Sequence, residues 1–384
     1  MHMSKFLVLG GALALTPAPA LAQTKAVFPP LFDKLEGYSS ASSYSTGHFA
    51  YATSSTTSRP FRSQLVMDID KTVSGKIAGL AYRRESVSYQ GTPFPGGWVD
   101  LEVTLGTAAT TSATVSTTFA TNVGGDATVV IARKKVNLPP VPYTGGFPEP
   151  FLIRLPFDSG KNLAYDASKG SLLVEFKSYD NDFYDSTTST YKRLYLDRAY
   201  NTSTGAYISV GAGEAYNPYV SPMDVYTSLS IYNNTTVRWY SDMDDGLPGG
   251  IGVFVLAVDG LNPNAGIKFP NGSPWYLDLL KTVDVSAGLI SQSGEMRWPA
   301  SGYIEVPYTS NLVGVNVDVQ GLMFDAKTMQ MWTSNAYRRQ IPDYKSGGTF
   351  PVDGVYKNGS TAFTSATGSG MSVGYAPVVE LTLN

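Results

Sequence analysis

Cysteine is absent from this chain of 384 residues, and histidine occurs only at His2 and His48. The first absence removes disulfides, zinc ribbons, iron–sulfur clusters and thiol nucleophiles together. The second leaves too few imidazoles for zinc, copper or non-haem iron, whose sites want two or more nitrogen or sulfur ligands. Charge is scarce too. Asp, Glu, Lys and Arg make up 15% of the chain, and 28 basic against 31 acidic residues give a formal net charge of −3. With no basic excess to neutralise phosphates, nucleic acid is not an expected partner. Long apolar runs are missing as well. The longest one in the body of the chain, Gly249 to Val258, is half of the roughly twenty residues needed for a transmembrane helix. An outer-membrane β-barrel is disfavoured by prolines throughout and by the lack of regularly alternating ten-residue segments. Glycine-rich turns between a strand and a helix, which would cradle a phosphate or dinucleotide, do not occur.

What is present begins with an export leader. Lys5 supplies a positive start, Phe6 to Leu15 an apolar stretch, and Pro17 and Pro19 break it ahead of Ala20-Leu21-Ala22. That small-x-small triplet reads as a signal-peptidase site, with the mature chain starting at Gln23. Export to the cell surface or the extracellular space, rather than retention in the periplasm, is the expectation.

Beyond the leader the chain reads as strands. Val99, Leu101, Val103 and Leu105 alternate with Asp100, Glu102, Thr104 and Gly106, and Val313, Val315, Val317 and Val319 with Gly314, Asn316, Asp318 and Gln320. A period of two marks a strand with one buried face. Leu172 to Phe176 and Ile251 to Leu256 are denser and suit strands covered on both faces. Helical periodicity is limited to Pro274 to Thr282, where Trp275, Leu279 and Leu280 would share a face. Many short strands with Gly, Pro, Asn, Asp and Ser between them predict an all-β fold. The expected architecture is two antiparallel β-sandwich, jelly-roll-like domains in tandem after a cleaved signal peptide. A Gly- and Pro-rich stretch, Ser209 to Pro222, sets the expected division. It gives a signal peptide at 1–22, an irregular N-terminal segment at 23–60, and sandwich domains at 61–210 and 211–384.

Short motifs in the same order carry a resemblance. They include Leu35-Glu36-Gly37-Tyr38, Gly79-Leu80-Ala81-Tyr82-Arg83-Arg84, Trp98-Val99-Asp100-Leu101-Glu102, Gly170-Ser171-Leu172-Leu173-Val174-Glu175 and Val319-Gln320-Gly321-Leu322. Their succession, up to about Asn335, resembles a group of uncharacterised secreted two-part β-sandwich proteins of planctomycete-type bacteria. The resemblance implies export and β architecture, and transfers no catalytic residue.

Gly370-Met371-Ser372-Val373-Gly374 matches the G-x-S-x-G elbow of serine hydrolases, but no helix pattern and no histidine follow it. A Gly-rich lead into the last strand is the better reading. Calcium, which needs only oxygen ligands, is the one metal left open, at Asp180, Asp182 and Asp185 or at Asp242, Asp244 and Asp245. Surface turns favour Asp for conformational reasons too. A glycosidase needs two carboxylates and no histidine, so glycoside hydrolysis is the one activity left open, with Glu102, Glu175 and Glu305 on predicted strands. Asn201, Asn233 and Asn271 begin sequons that read as turn markers. Exposed tyrosine or tryptophan suits stacking on sugars or protein contacts, and Trp98, Tyr184, Tyr191 and Tyr195 are the candidates. Tyr226, Tyr232 and Tyr240 are more simply explained by strand propensity.

The functional expectation is a non-enzymatic surface or extracellular structural and adhesive protein. It would form a homo-oligomer or homopolymer through strand addition by its N-terminal segment. Binding of a surface polysaccharide, with or without calcium, is the alternative.

Overall fold

The computed structural model describes residues 24–37, 60–85, 93–142, 144, 147–185, 190–192, 194–199, 203–218, 220–262, 267–269, 273–300, 302–344, 352–358, 362–370 and 376–384. The period-two pattern decides most strands. In Gly97–Thr107, Val99, Leu101, Val103 and Leu105 are fully buried, while Asp100, Glu102 and Thr104 lie on the other face. The regular secondary structure of the described chain is almost wholly strand, arranged in antiparallel sheets, with helix confined to short turns. No described helix is long and apolar enough to cross a membrane.

The first sandwich packs a five-stranded sheet on a six-stranded one. One sheet runs in the order Thr24–Phe28, Val379–Leu383, Ser74–Tyr82, Ile153–Pro156, with Leu163–Asp166 also pairing with Ser74–Tyr82. The other runs Ser369–Gly370, Val352–Asn358, Phe61–Met67, Leu172–Asn181, Gly97–Thr107, Thr128–Leu138. Ile77, Leu80 and Leu381 from one sheet meet Leu101, Val103 and Phe176 from the other in a single core. The Tyr82 and Phe176 rings touch edge to face across it, 6.3 Å apart.

The second sandwich packs the sheet Tyr207–Val210, Gln330–Gln340, Asn316–Asp325, Ile251–Val258, Thr282–Leu289 on the Asp224–Tyr232 and Thr236–Asp244 hairpin. Met296–Trp298 and Ile304–Pro307 extend that hairpin on the far side of Thr236–Asp244. Val225, Leu229, Val237 and Met243 fill the interior with Phe254, Val319 and Met323. Gly321 marks a close approach of the sheets. A Cβ there would sit 2.6 Å from Met243 Cε, so only glycine fits without a shift.

Three expectations are corrected. Residues 23–60 are not wholly irregular, because Thr24–Phe28 pairs along its length with Val379–Leu383. That strand therefore completes its own chain's sheet, where donation to a neighbour was expected. The division at 210/211 also fails in both directions. Val352–Asn358 and Val379–Leu383 return to the first sandwich, while Tyr207–Val210 belongs to the second. Antiparallel pairing joins residues more than 300 positions apart here, and a linear composition break carries no record of it. Finally, Pro274 to Thr282 is no helix: Pro274–Trp275 is a strand with Trp275 buried, and Leu279–Lys281 is a single 3-10 turn with both leucines exposed.

The segment after the first strand ties the sandwiches together. Arg83 and Asp197, both buried, form an ion pair (2.5 Å), and Arg83 also donates to the Leu35 carbonyl. The Gly37 N–H donates to Asp197 Oδ1 (2.8 Å), and the Glu36 N–H to Gln340 Oε1 of the second sandwich (2.8 Å). Gln340 Nε2 donates back to the Lys34 carbonyl (3.0 Å). The buried Arg83, Asp197 and Gln340 side chains in this seam thereby gain partners, which burial demands.

Candidate ligand-binding face

The hairpin Asp224–Tyr232/Thr236–Asp244 turns at Asn233 and Asn234, whose φ values of 50° and 60° are those of a type I′ turn. Its inward phase is apolar apart from Thr227 and Ser241, which hydrogen-bond to each other (2.8 Å), so the alternate residues are delivered together to the outside. Register places Tyr226 opposite Asp242, Ser228 opposite Tyr240, Ser230 opposite Arg238 and Tyr232 opposite Thr236. Across the next ladder Arg238 faces Glu305 and Asp242 faces Arg297. The resulting platform is roughly 30 Å long, from nine residues at about 3.4 Å each.

Its chemistry is aromatic and hydroxyl-rich. Arg238 lies 3.4 Å over the Tyr232 ring and 5.4 Å from the Tyr303 ring, while donating to Glu305 Oε1 (2.7 Å). Arg297 lies 3.9 Å over Tyr240, and Tyr240 meets Tyr303 edge to face at 5.5 Å. Tyr226 donates its hydroxyl to Asp242 Oδ2 (2.5 Å), which holds the phenol pKa above its usual value, with burial adding to the rise. Tyr226, Tyr232 and Tyr303 are exposed. Guanidinium stacking fixes the rings at little entropic cost and leaves polar rims for hydrogen bonds.

One end of the platform is acidic. Burial pushes the Asp244 carboxyl above the ordinary carboxylate value, and Asp242, Glu295, Asp245 and Asp224 add like-charge repulsion. Asp224 is raised by burial too, with Asp245 contributing. Asp245 sits at φ 58°, in the left-handed region. Among the described residues, no group of three or more acidic or histidine side chains is arranged to hold a metal ion.

The other sequence candidates fare differently. Trp98 is half-buried and its ring is covered by Lys135 Nζ at 3.9 Å, while its backbone N–H donates to Asp182 Oδ1 (2.7 Å). Asp182 also binds Lys192 Nζ (2.6 Å), so its carboxylate is already engaged. Asp180 is exposed and accepts from the Asn181 N–H (2.9 Å). Tyr184 and Asp185 pair with Tyr191 and Thr190 in a two-residue ladder, with Tyr184 opposite Tyr191; the side chains of these four lie outside the described set. Tyr195 is half-buried, and its carbonyl accepts from the Glu85 N–H. His48 and Ser372 lie outside the described residues. Each strand glutamate is matched by a cation: Glu175 by Arg62 (2.7 Å), Glu102 by Lys177 (2.7 Å) and Glu305 by Arg238 (2.7 Å).

Comparison with known proteins assigns no family. No protein-family model matches the chain, and no curated protein matches it either.

The platform residues Tyr226, Tyr232 and Tyr240 fit strand propensity equally well, and that equivalence hid them in the sequence. The usable signal was phase: in both strands the tyrosine and arginine residues all fall on the polar alternate.

Proposed function

We propose that this is an exported, non-catalytic adhesive protein of the cell surface or extracellular space, and that the open face of its second sandwich holds a polysaccharide. The observation that carries the reading is the gathering of Tyr226, Tyr232, Tyr240 and Tyr303 with two stacked arginines on one exposed sheet face. A pyranose ring presents an apolar C–H face suited to tyrosine and hydroxyls suited to Asp242, Asp244 and the serines. The arginine charges are balanced by Glu305 and Asp242, so a neutral glycan fits better than a strongly charged one. Export rests on the leader at residues 1–22.

Glycan-array screening followed by calorimetry, each with and without calcium, tests this reading. Tyr232→Ala and Tyr303→Ala are each expected to weaken binding about tenfold or more, the cost of roughly 1–3 kcal/mol in lost stacking and burial. Wild-type protein that binds no glycan in either condition refutes the proposal.

A further inference from the structure

A second feature of this sandwich is independent of the glycan reading. The Thr282–Leu289 strand closes its five-stranded sheet, and among the described residues no strand lies beyond it. Its side chains are unusually bare: Val283 is 58% exposed, Val285 57% and Leu289 76%, with Leu280 just before it at 95%. Register places Ile251, also exposed, beside Leu289, in phase with Ala287 and Val285 along the strand, while Val283 sits at a one-residue register shift near its start.

Several other edge strands among the described residues are guarded, as soluble proteins commonly arrange. Thr128–Leu138 carries Arg133, Lys134 and Lys135, Thr24–Phe28 carries Lys25, and Ile153–Pro156 carries Arg154 and a terminal proline. On the Asp224–Tyr232 edge, Asn335 caps both the N–H and the carbonyl of Val225, and Arg339 donates to the Thr227 carbonyl. The 282–289 edge has no Lys, Arg or Pro inside it, and one acid, Asp284.

The strand also matches itself. Ile290 donates to the Gly250 carbonyl (2.9 Å) and accepts from the Gly249 N–H (3.1 Å), so it faces inward. By alternation Gly288, Ser286 and Asp284 also face inward, while Leu289, Ala287 and Val285 turn their N–H and carbonyl groups outward. The Val285 N–H is met by the Asp284 carboxylate (2.8 Å), as an outward donor would be. An antiparallel copy centred on Ser286 pairs Val283 with Leu289 and Val285 with Ala287. Every outward group then finds a partner, and Asp284 stands opposite Gly288 instead of its own copy. Centring on Asp284 would oppose two like charges, which is destabilising.

We infer that two copies of this chain join through their 282–289 strands, antiparallel about Ser286, to make one ten-stranded sheet across the dimer. The exposed aliphatic side chains would bury on the order of 400 Å² per copy before the backbone is counted. That is about half of a standard interface, so a micromolar dimer is expected and not a nanomolar one.

Sedimentation velocity across roughly 1–100 µM tests this, with wild type expected to pass from monomer to dimer. Val285→Lys places a charge on the edge, and Ala287→Pro deletes an outward donor that its own sheet does not use. Both should abolish dimerisation with little change in melting temperature, and Val285→Lys keeps the test alive if the proline variant fails to fold. Asp284→Ala removes the competing acceptor and should tighten the dimer several-fold. Because the chain has no cysteine, Ser286→Cys gives a clean register readout: it should cross-link under mild oxidation, whereas Val283→Cys should not. Strictly monomeric wild type, a dimer unaffected by Val285→Lys, or equal cross-linking of both cysteine variants would each overturn the inference. Val285→Lys is also expected to keep wild-type glycan binding per chain, which separates this interface from the tyrosine platform.

Discussion

In the first sandwich the outer face of the six-stranded sheet is roofed. Phe119 and Asn122 of a one-turn helix sit on it, with Arg62 4.1 Å over the Phe119 ring and Asn122 donating to Gln64 (3.1 Å). Gln64 and Arg62 in turn hold Glu175, and Phe363 lies 4.4 Å from Tyr179. In the second sandwich, the hairpin face that carries Tyr226, Tyr232 and Arg238 has no such cover among the described residues. Polar side chains thus serve opposite ends. Under a roof, each must be matched inside the protein because water is excluded. On an open face, the same residue types keep spare hydrogen-bonding capacity for a ligand.

The largest effect that would break this contrast lies in the buried seam. Asp197→Ala leaves Arg83 without a counter-charge in a dry site and should cost about 3–5 kcal/mol in urea unfolding. Asp242→Ala, which removes an acid from the open platform, should cost under about 1 kcal/mol because its Arg297 partner is partly exposed. If the two variants were equally destabilised, the distinction between roofed and open faces would fail.

A crossed pair of aromatic substitutions sharpens it. Trp98→Ala is expected to leave glycan affinity within about twofold of wild type, because Trp98 lies on the first sandwich and not on the tyrosine platform. Tyr232→Ala, the platform substitution proposed above, is expected to lose binding while its melting temperature stays within a few degrees. Calorimetric titration of both variants with one bound glycan decides the matter.

The smallest effect is electrostatic. Asp224 and Asp244 have raised carboxyl pKa values, so protonation stabilises the fold. Their contribution is fully present below the ordinary aspartate value of 3.8 and is lost as pH rises through the raised one. Asp244→Asn should therefore melt higher than wild type at pH 7, with the difference gone near pH 3.5. A melting-temperature series over pH reads this directly.

The strand from Asn316 to Asp325 shows where sequence reading succeeds and stops. Its alternation predicted one buried and one wet face. Val319 is buried as expected, but so are Asn316, Asp318 and Gln320 on the other side. Asp318 accepts from Arg338 (2.6 Å) and from the N–H groups of Gly260 and Leu261, and Gln320 accepts from the Tyr276 N–H. These side chains hold down the 259–278 connection, an arrangement invisible to a pattern that records polarity alone. The platform was equally ambiguous: Tyr240 on a polar phase reads the same whether the face is roofed or open.

From its residues alone, this chain determined its all-β class, the phase of strands such as Gly97–Thr107, the Asn233-Asn234 hairpin turn and the absence of thiol chemistry. Those properties follow from local sterics and from a period-two pattern that each segment carries within itself. Tertiary structure alone decided that Val352–Asn358 and Val379–Leu383 close the first sandwich, that Asp318 is covered while Tyr232 is not, and that the 282–289 edge stands without Lys, Arg or Pro. Strand pairing and burial depend on partners hundreds of residues away, and no local pattern encodes which partner arrives.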